Sequence, residues 1–235
     1  MHCHLLPGID DGAKDSEETM KMLQIAYDEG IRAIFATPHF HPRRGHADVE
    51  TVLEKFTETY RRIKQSYPDM KLYEGNEIYF SQDVVQMLKA GQLLTLANSD
   101  YVLIEFSTMA ESVYIRDAVN AILMAGYFPV IAHVERYESL IENIRLINEL
   151  VNSGVYIQVN AGSVIGDAGG RIKRVLRKLI HDELVHFIGT DAHSSKARAP
   201  HMEKCARYLL KKFGEETADR LLYDNPMQVV QNKII

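Results

Sequence analysis

The chain has 235 residues, 46% hydrophobic and 25% charged, the composition of a soluble globular protein long enough to bury a sizeable core without covalent staples. Its formal net charge of −5 argues against a nucleic-acid or anionic-membrane partner, because either selects a basic surface, and direct membrane insertion lacks the apolar run it needs. Cys3 and Cys205 are too few for a disulfide scaffold, no apolar run of about 18 residues is present, and the start MHCHLLPGIDDG lacks the regions of a signal peptide, so the expected compartment is the cytoplasm.

In chain order, short apolar runs alternate with helical periodicity. The first run covers residues 1–6. A helix follows from Asp15 or Ser16 to Gly30, with Asp15 and Glu18 spaced as a capping box and Met20, Leu23, Ala26 and Tyr27 as its apolar stripe. Further strands read at 31–36, 71–79, 101–106, 129–132, 155–159 and 184–189. The helices between and after them read at 48–67, 81–89, 112–125, 137–153, 170–182 and 200–213. A last helix near 215–223 and a turn or helix after Pro226 complete the chain, and Gly162 to Gly170 reads as a loop. Seven strand–helix units imply an α/β fold, a parallel sheet with helices outside it, in one domain over residues 1–235. Closed as a seven-stranded TIM-like barrel, that sheet gathers all its strand ends around one mouth.

The residues able to do chemistry fall at those ends: His2 and His4, then Asp10 and Asp11, His39, Glu77, Glu105, His133 with Glu135 and Arg136, Gln158 and Asn160, and Asp191 with His193. Residues i and i+2 of a strand share a face, so His2 and His4 can reach one ion, and Asp191 and His193 repeat the spacing. Mixed imidazole and carboxylate donors suit manganese, iron or zinc. A lone histidine at a strand end is ordinarily a loop or core residue, and only the joint pattern points to metal. His181, His186 and His201 lack that placement and read as surface or the opposite face. His41 and His46 lie in a loop over the mouth.

The ordered set H-C-H, I-D-D-G, A-T-P-H, G-N-E, L-I-E-F, A-H-V-E-R-Y and G-T-D-A-H resembles the PHP (polymerase and histidinol phosphatase) superfamily. The stretches LPGIDDG, LIEF, AHVERY and TDAHSSKARAP are most similar to the manganese-dependent protein-tyrosine phosphatases of Gram-positive capsule and exopolysaccharide loci. The resemblance covers essentially the whole chain. It implies a distorted seven-stranded (β/α)7 barrel, the PHP fold, with three divalent ions, manganese first among them. Carried over by motif, the metal ligands are His2, His4, Asp11, His39, Glu77, Glu105, His133, Asp191 and His193, and the phosphate-binding residues are Arg136 and Arg198. The implied activity is phosphomonoester hydrolysis by metal-bound hydroxide. The implied substrate is a phosphotyrosine protein, a bacterial tyrosine kinase controlling polysaccharide synthesis, and an oligomer is compatible with it. The alternative is a small-molecule phosphatase such as histidinol-phosphate phosphatase. Family members commonly carry two or three residues before H-x-H, whereas His2 here follows Met1, so strand one is expected to be a stub.

Cysteine catalysis needs an arginine six residues after the thiolate, but Ile9 and Lys211 stand at that spacing from Cys3 and Cys205. No G-x-x-x-x-G-K phosphate loop occurs. Tyr79, Phe106 and Tyr137 follow site residues closely and read as packing, or as a stacking face for an aryl ring. Arg43 and Arg44 could greet an acidic phosphopeptide.

Overall fold

Pro38 has no amide hydrogen to give a ladder, and the chain bends there. The computed structural model, which describes residues 1–42, 45 and 47–235, accordingly divides the second run into β1 (Ala33–Ala36) and β2 (His39–Phe40). The third run divides at Gly75-Asn76 into β3 (Lys71–Glu74) and β4 (Glu77–Tyr79). The Asn76 side chain spans both breaks: its Nδ2 donates to the Pro38 carbonyl at 3.1 Å and its Oδ1 accepts from the Leu94 amide at 2.9 Å. The remaining strands are β5 (Tyr101–Glu105), β6 (Phe128–Ile131), β7 (Tyr156–Asn160) and β8 (Phe187–Gly189).

Every strand pair is parallel. β1 pairs with β3, and the others form a curled sheet in the order β2-β4-β5-β6-β7-β8. The helices are α1 (Ser16–Asp28), α2 (Val49–Ser66), α3 (Val84–Lys89), α4 (Ser112–Met124), α5 (Glu138–Ile141), α6 (Ile144–Asn152), α7 (Ala161–Ile165), α8 (Gly170–His181), α9 (Glu203–Phe213), α10 (Glu215–Asp219) and α11 (Asn225–Val230). Ile104, Ile131 and Ile157 are fully buried on three successive strands, in one core with Ile115, Val119 and Ile122 of α4 and Leu176 and Leu179 of α8. Each such side chain contributes about 1.5–3 kcal/mol by leaving water. No helix among the described residues is long and apolar enough to cross a membrane.

Residues 1–6 form no strand. Cys3 makes a single parallel bridge to Ala192, and this stretch ties the end of β1 to the segment beyond β8. The ties are Thr37 N to Cys3 O, His4 N to Ala192 O and Asp191 N to His2 O, each 2.9 Å. Other departures from the sequence reading are local. Asn143 accepts from the Leu146 amide at 3.2 Å and starts a new helix, which splits 137–153 into α5 and α6. Residues 161–165 are helical rather than loop. Met22, not Met20, is the buried methionine of α1. Asp15 caps α1 through the Glu18 amide at 2.8 Å, but Glu18 does not reach back: its Oε1 accepts from the Ser195 amide at 2.7 Å.

Candidate metal centre

The break at Pro38 sets His39 level with Glu77 in the β2–β4 register, and Tyr79 level with Glu105 in the β4–β5 register. Glu77 thereby becomes a buried hub. Its Oε2 lies 3.3 Å from His2 Nε2, 3.2 Å from His4 Nε2 and 2.9 Å from His39 Nδ1, while its Oε1 lies 2.7 Å from His133 Nε2. Glu105 stands behind, with its oxygens 3.8 Å from His39 Nδ1 and 3.6 Å from His133 Nε2. Asp11 Oδ1 is 3.4 Å from His39 Nε2 and 3.5 Å from His193 Nε2. Asp191 Oδ1 lies 3.5 Å from His2 Nε2 and 3.6 Å from both His4 Nε2 and His193 Nδ1.

All nine expected donors are thus brought together. Three groups hold their donor atoms within 4.8 Å of one another: His4, Asp11, His39 and His193; His2, His4 and Glu77; His39, Glu77 and Glu105. His4, His39 and Glu77 each belong to two groups, so adjacent ions would share ligands. His133 and Asp191 border these groups. Glu77 Oε2 and His193 Nε2 are buried and make no well-angled hydrogen bond, although nitrogen or oxygen atoms surround them. Imidazole and carboxylate lone pairs converging from several elements are the arrangement of a cation site, so the residues fit divalent metal.

The electrostatics agree. Burial works against charge on Glu77, but the surrounding imidazoles, His2 first, hold its carboxyl well below the usual range. Burial and the charge of Glu77 push Glu105 up to about 7. Burial and the neighbouring His4 charge bring His193 down to about 4. Burial also opposes a charged His4, yet hydrogen bonds to Asp10 and Glu77 outweigh it and raise the ring to about 10. Donors this dense balance their charge only by trapping protons or cations among them.

Two guanidinium groups flank the cluster. Arg136 Nη2 pairs with Asp191 Oδ2, and Arg198 Nη2 lies 2.9 Å from Asp191 Oδ1. Both side chains stay partly exposed, which leaves donors of each planar fork open to an anion. His133 and Asp191 sit at φ 34° and 50°, left-handed conformations that non-glycine residues adopt at a cost and that cluster at functional sites.

Three strand-end side chains outside the expected ligand set, Asp10, Gln158 and Asn160, orient the cluster. Asp10 Oδ2 accepts from His4 Nδ1 at 2.8 Å and from the His39 amide at 2.9 Å, and its Oδ1 accepts from the Gly12 amide at 2.9 Å. Gly12 permits this turn, since a Cβ there would lie 2.1 Å from the His4 carbonyl oxygen. Gln158 Oε1 accepts from His2 Nδ1 at 3.1 Å and from the His133 amide at 2.8 Å. Gln158 Nε2 donates to Asn160 Oδ1 at 3.0 Å, and Asn160 Nδ2 donates to Asp191 Oδ2 at 3.0 Å. An acceptor on each Nδ1 turns the Nε2 lone pairs of His2 and His4 toward Glu77. The D-D doublet and the i, i+2 pair Gln158 and Asn160 were the available signals.

The other candidates lie apart. His181 is exposed beside Asp182, His201 pairs with Glu29, and His186 is buried under β7, its Nδ1 accepting from the Ile157 amide at 3.1 Å. The His41 ring stacks on Tyr79 at 4.3 Å, whereas Arg43, Arg44 and His46 lie outside the described residues. Phe106 and Tyr137 are core, the Tyr137 hydroxyl accepting from the Phe106 amide at 3.0 Å. Cys3 and Cys205 are buried, and burial pushes each thiol up to about 12.

A curled parallel α/β sheet with a histidine–carboxylate cluster at its strand ends defines the class: an α/β protein with a centre able to hold metal ions. The profile of the capsular polysaccharide synthesis family CpsB/CapC matches residues 1–231, and the chain belongs to that family. It is 35% identical over 236 residues to the tyrosine-protein phosphatase YwqE of Bacillus subtilis (strain 168), covering all of this chain and 92% of the relative. Among solved structures it matches one from work on YwqE of Bacillus subtilis and CpsB of Streptococcus pneumoniae, described as unique metal-dependent tyrosine phosphatases. That match has a TM-score of 0.92 and 34% identity, over all of this chain and 94% of the other. A histidinol phosphate phosphatase of Lactococcus lactis shares the fold at a TM-score of 0.57 and 16% identity, over 90% of this chain and 91% of the other.

Proposed function

We propose that the chain is a metal-dependent phosphomonoester hydrolase of one PHP-type domain over residues 1–235. In this reading residues 1–6 close a distorted seven-stranded barrel, and the enzyme acts in the cytoplasm on phosphotyrosine in protein. Its substrate is a tyrosine kinase that controls capsular or exopolysaccharide synthesis. The observation that carries the reading is the convergence of nine imidazole and carboxylate groups, Glu77 at their centre, beside two partly exposed arginines. Full-length likeness to metal-dependent tyrosine phosphatases supports the choice of substrate.

His2, His4, Asp11, His39, Glu77, Glu105, His133, Asp191 and His193 would hold three divalent ions, manganese by preference, with iron and zinc suited to the same donors. Bound ions lower the pKa of water to about 7 and draw charge from phosphoryl oxygens. Arg136 and Arg198 bind those oxygens with planar forks aimed by Asp191. Asp10 and Gln158 keep His4 and His2 in one tautomer and one orientation. Neither thiol takes part, because each is neutral and enclosed. Steady-state kinetics on a phosphotyrosine peptide and on histidinol phosphate test the reading. Higher kcat/KM on the peptide is expected, and the reverse order overturns it.

A further inference from the structure

Helices α8 and α9 hold nine of the chain's 27 Lys and Arg residues and one of its 32 Asp and Glu residues. They carry a formal +8 in a chain whose total is −5. Some of that charge is neutralised locally. Arg171 pairs with Glu138 and Glu142, Lys178 with Asp182 and Arg207 with Glu203. Lys173 Nζ donates to the Ile165 carbonyl. Arg174, Arg177, Lys204, Lys211 and Lys212 have no ion pair or hydrogen bond among the described residues.

The two helices and the start of α6 enclose an open cleft of about 740 Å³. Ile144, Val175 and Phe213, each half-buried, form its floor, while Arg174, Arg177 and Lys212 stand exposed on its rim. Its one acidic residue, Asp182, is already engaged by Lys178 and His181. A solvated helix face would spread its cations among acids, as the rest of this acidic chain does. Here the unpaired cations ring an apolar floor, the arrangement that recognises an anionic ligand with an apolar anchor. A membrane surface fits less well, because it takes apolar side chains that project from a basic face, and these three are recessed.

We infer that this cleft docks an acidic segment of the polypeptide substrate, with an aromatic or aliphatic side chain of that segment seated on Ile144, Val175 and Phe213. The inference rests on the protein-phosphatase reading above and assigns that substrate a second contact, separate from the phosphotyrosine. Such a contact lowers KM for the whole phosphoprotein and leaves a small aryl phosphate unaffected.

The test uses a fluorescein-labelled random copolymer of glutamate and tyrosine, followed by anisotropy with the full chain. Arg174→Glu/Arg177→Glu should weaken binding about tenfold, and Arg174→Gln/Arg177→Gln by less, with affinity falling as salt rises. Turnover of p-nitrophenyl phosphate and metal content should stay unchanged in both variants. Equal copolymer affinity in the parent and the charge-reversed variant would overturn the proposal. So would loss of binding to phosphatidylglycerol vesicles in that variant with copolymer binding intact, which would assign the cleft to lipid. Should the unmodified protein turn over no phosphotyrosine polypeptide, the functional reading itself fails. Turnover of such polypeptides with the same KM in parent and variant removes only the docking cleft.

Discussion

The side chain of half-buried Asp10 is tucked behind His4 and accepts three hydrogen bonds, from His4 Nδ1, the His39 amide and the Gly12 amide. Asp10→Ala leaves all three donors without that acceptor. An unmet buried donor costs about 1–3 kcal/mol, and with His4 buried but His39 and Gly12 only half-buried, stability should fall by roughly 1–3 kcal/mol. The free His4 ring can then rotate its Nε2 away from Glu77. Losing an outer partner of a metal-binding histidine typically costs about 10–100-fold in metal affinity. Asp10→Asn keeps the shape but turns one acceptor into a donor, so it should fall between the parent and the alanine variant. Competition with a chelating indicator at about pH 9 is the assay, because Asp10 also helps hold the proton that competes with metal on His4. Thermal melts confirm that the variants are folded. A folded Asp10→Ala protein binding manganese within about twofold of the parent would refute this account of the His4 orientation.

Removing either guanidinium, by Arg136→Ala or Arg198→Ala, should lower kcat/KM about 10²–10³-fold with metal content unchanged by elemental analysis. Iodoacetamide at about pH 8 should leave activity intact and modify neither cysteine of the native protein, because burial keeps both thiols neutral up to about 12. Cys3→Ser should likewise retain most of the turnover. Without metal, the His4 pKa lies above its ordinary 6.5, at about 10. Its proton therefore contributes stability fully below 6.5, and that contribution is lost as pH rises through about 10. Metal requires the neutral ring, so manganese affinity should rise between about pH 6 and 9. Calorimetry in two buffers of different ionisation enthalpy would count the protons released.

Alternation of apolar runs with helical periodicity was enough to locate the strand ends, because a parallel sheet puts every C-terminal strand end at one mouth. The nine ligands implied by the resemblance, Glu77 among them, lie together at that mouth. Local hydrogen bonding decided what the pattern missed. The bends at Pro38 and Gly75 depend on Asn76 bridging them, a long-range contact. Asp10 and Asp11 are adjacent and chemically alike, and only the Gly12 turn sends one behind His4 and the other toward His39 and His193. Gln158 has the alternation of an inward strand residue, yet its partners come from residues 2 and 133. Glu18 has capping-box spacing, but the Ser195 amide competes for its carboxylate from across the fold. The basic cleft needs two helices side by side before its charge becomes visible against an acidic total.

Anomalous scattering from crystals grown with manganese decides whether the cluster around Glu77 holds catalytic metal. Three peaks are predicted, one against each donor group: His4, Asp11, His39 and His193; His2, His4 and Glu77; His39, Glu77 and Glu105. A fully active preparation with no anomalous peak among these residues, or with its metal bound elsewhere, would contradict the account.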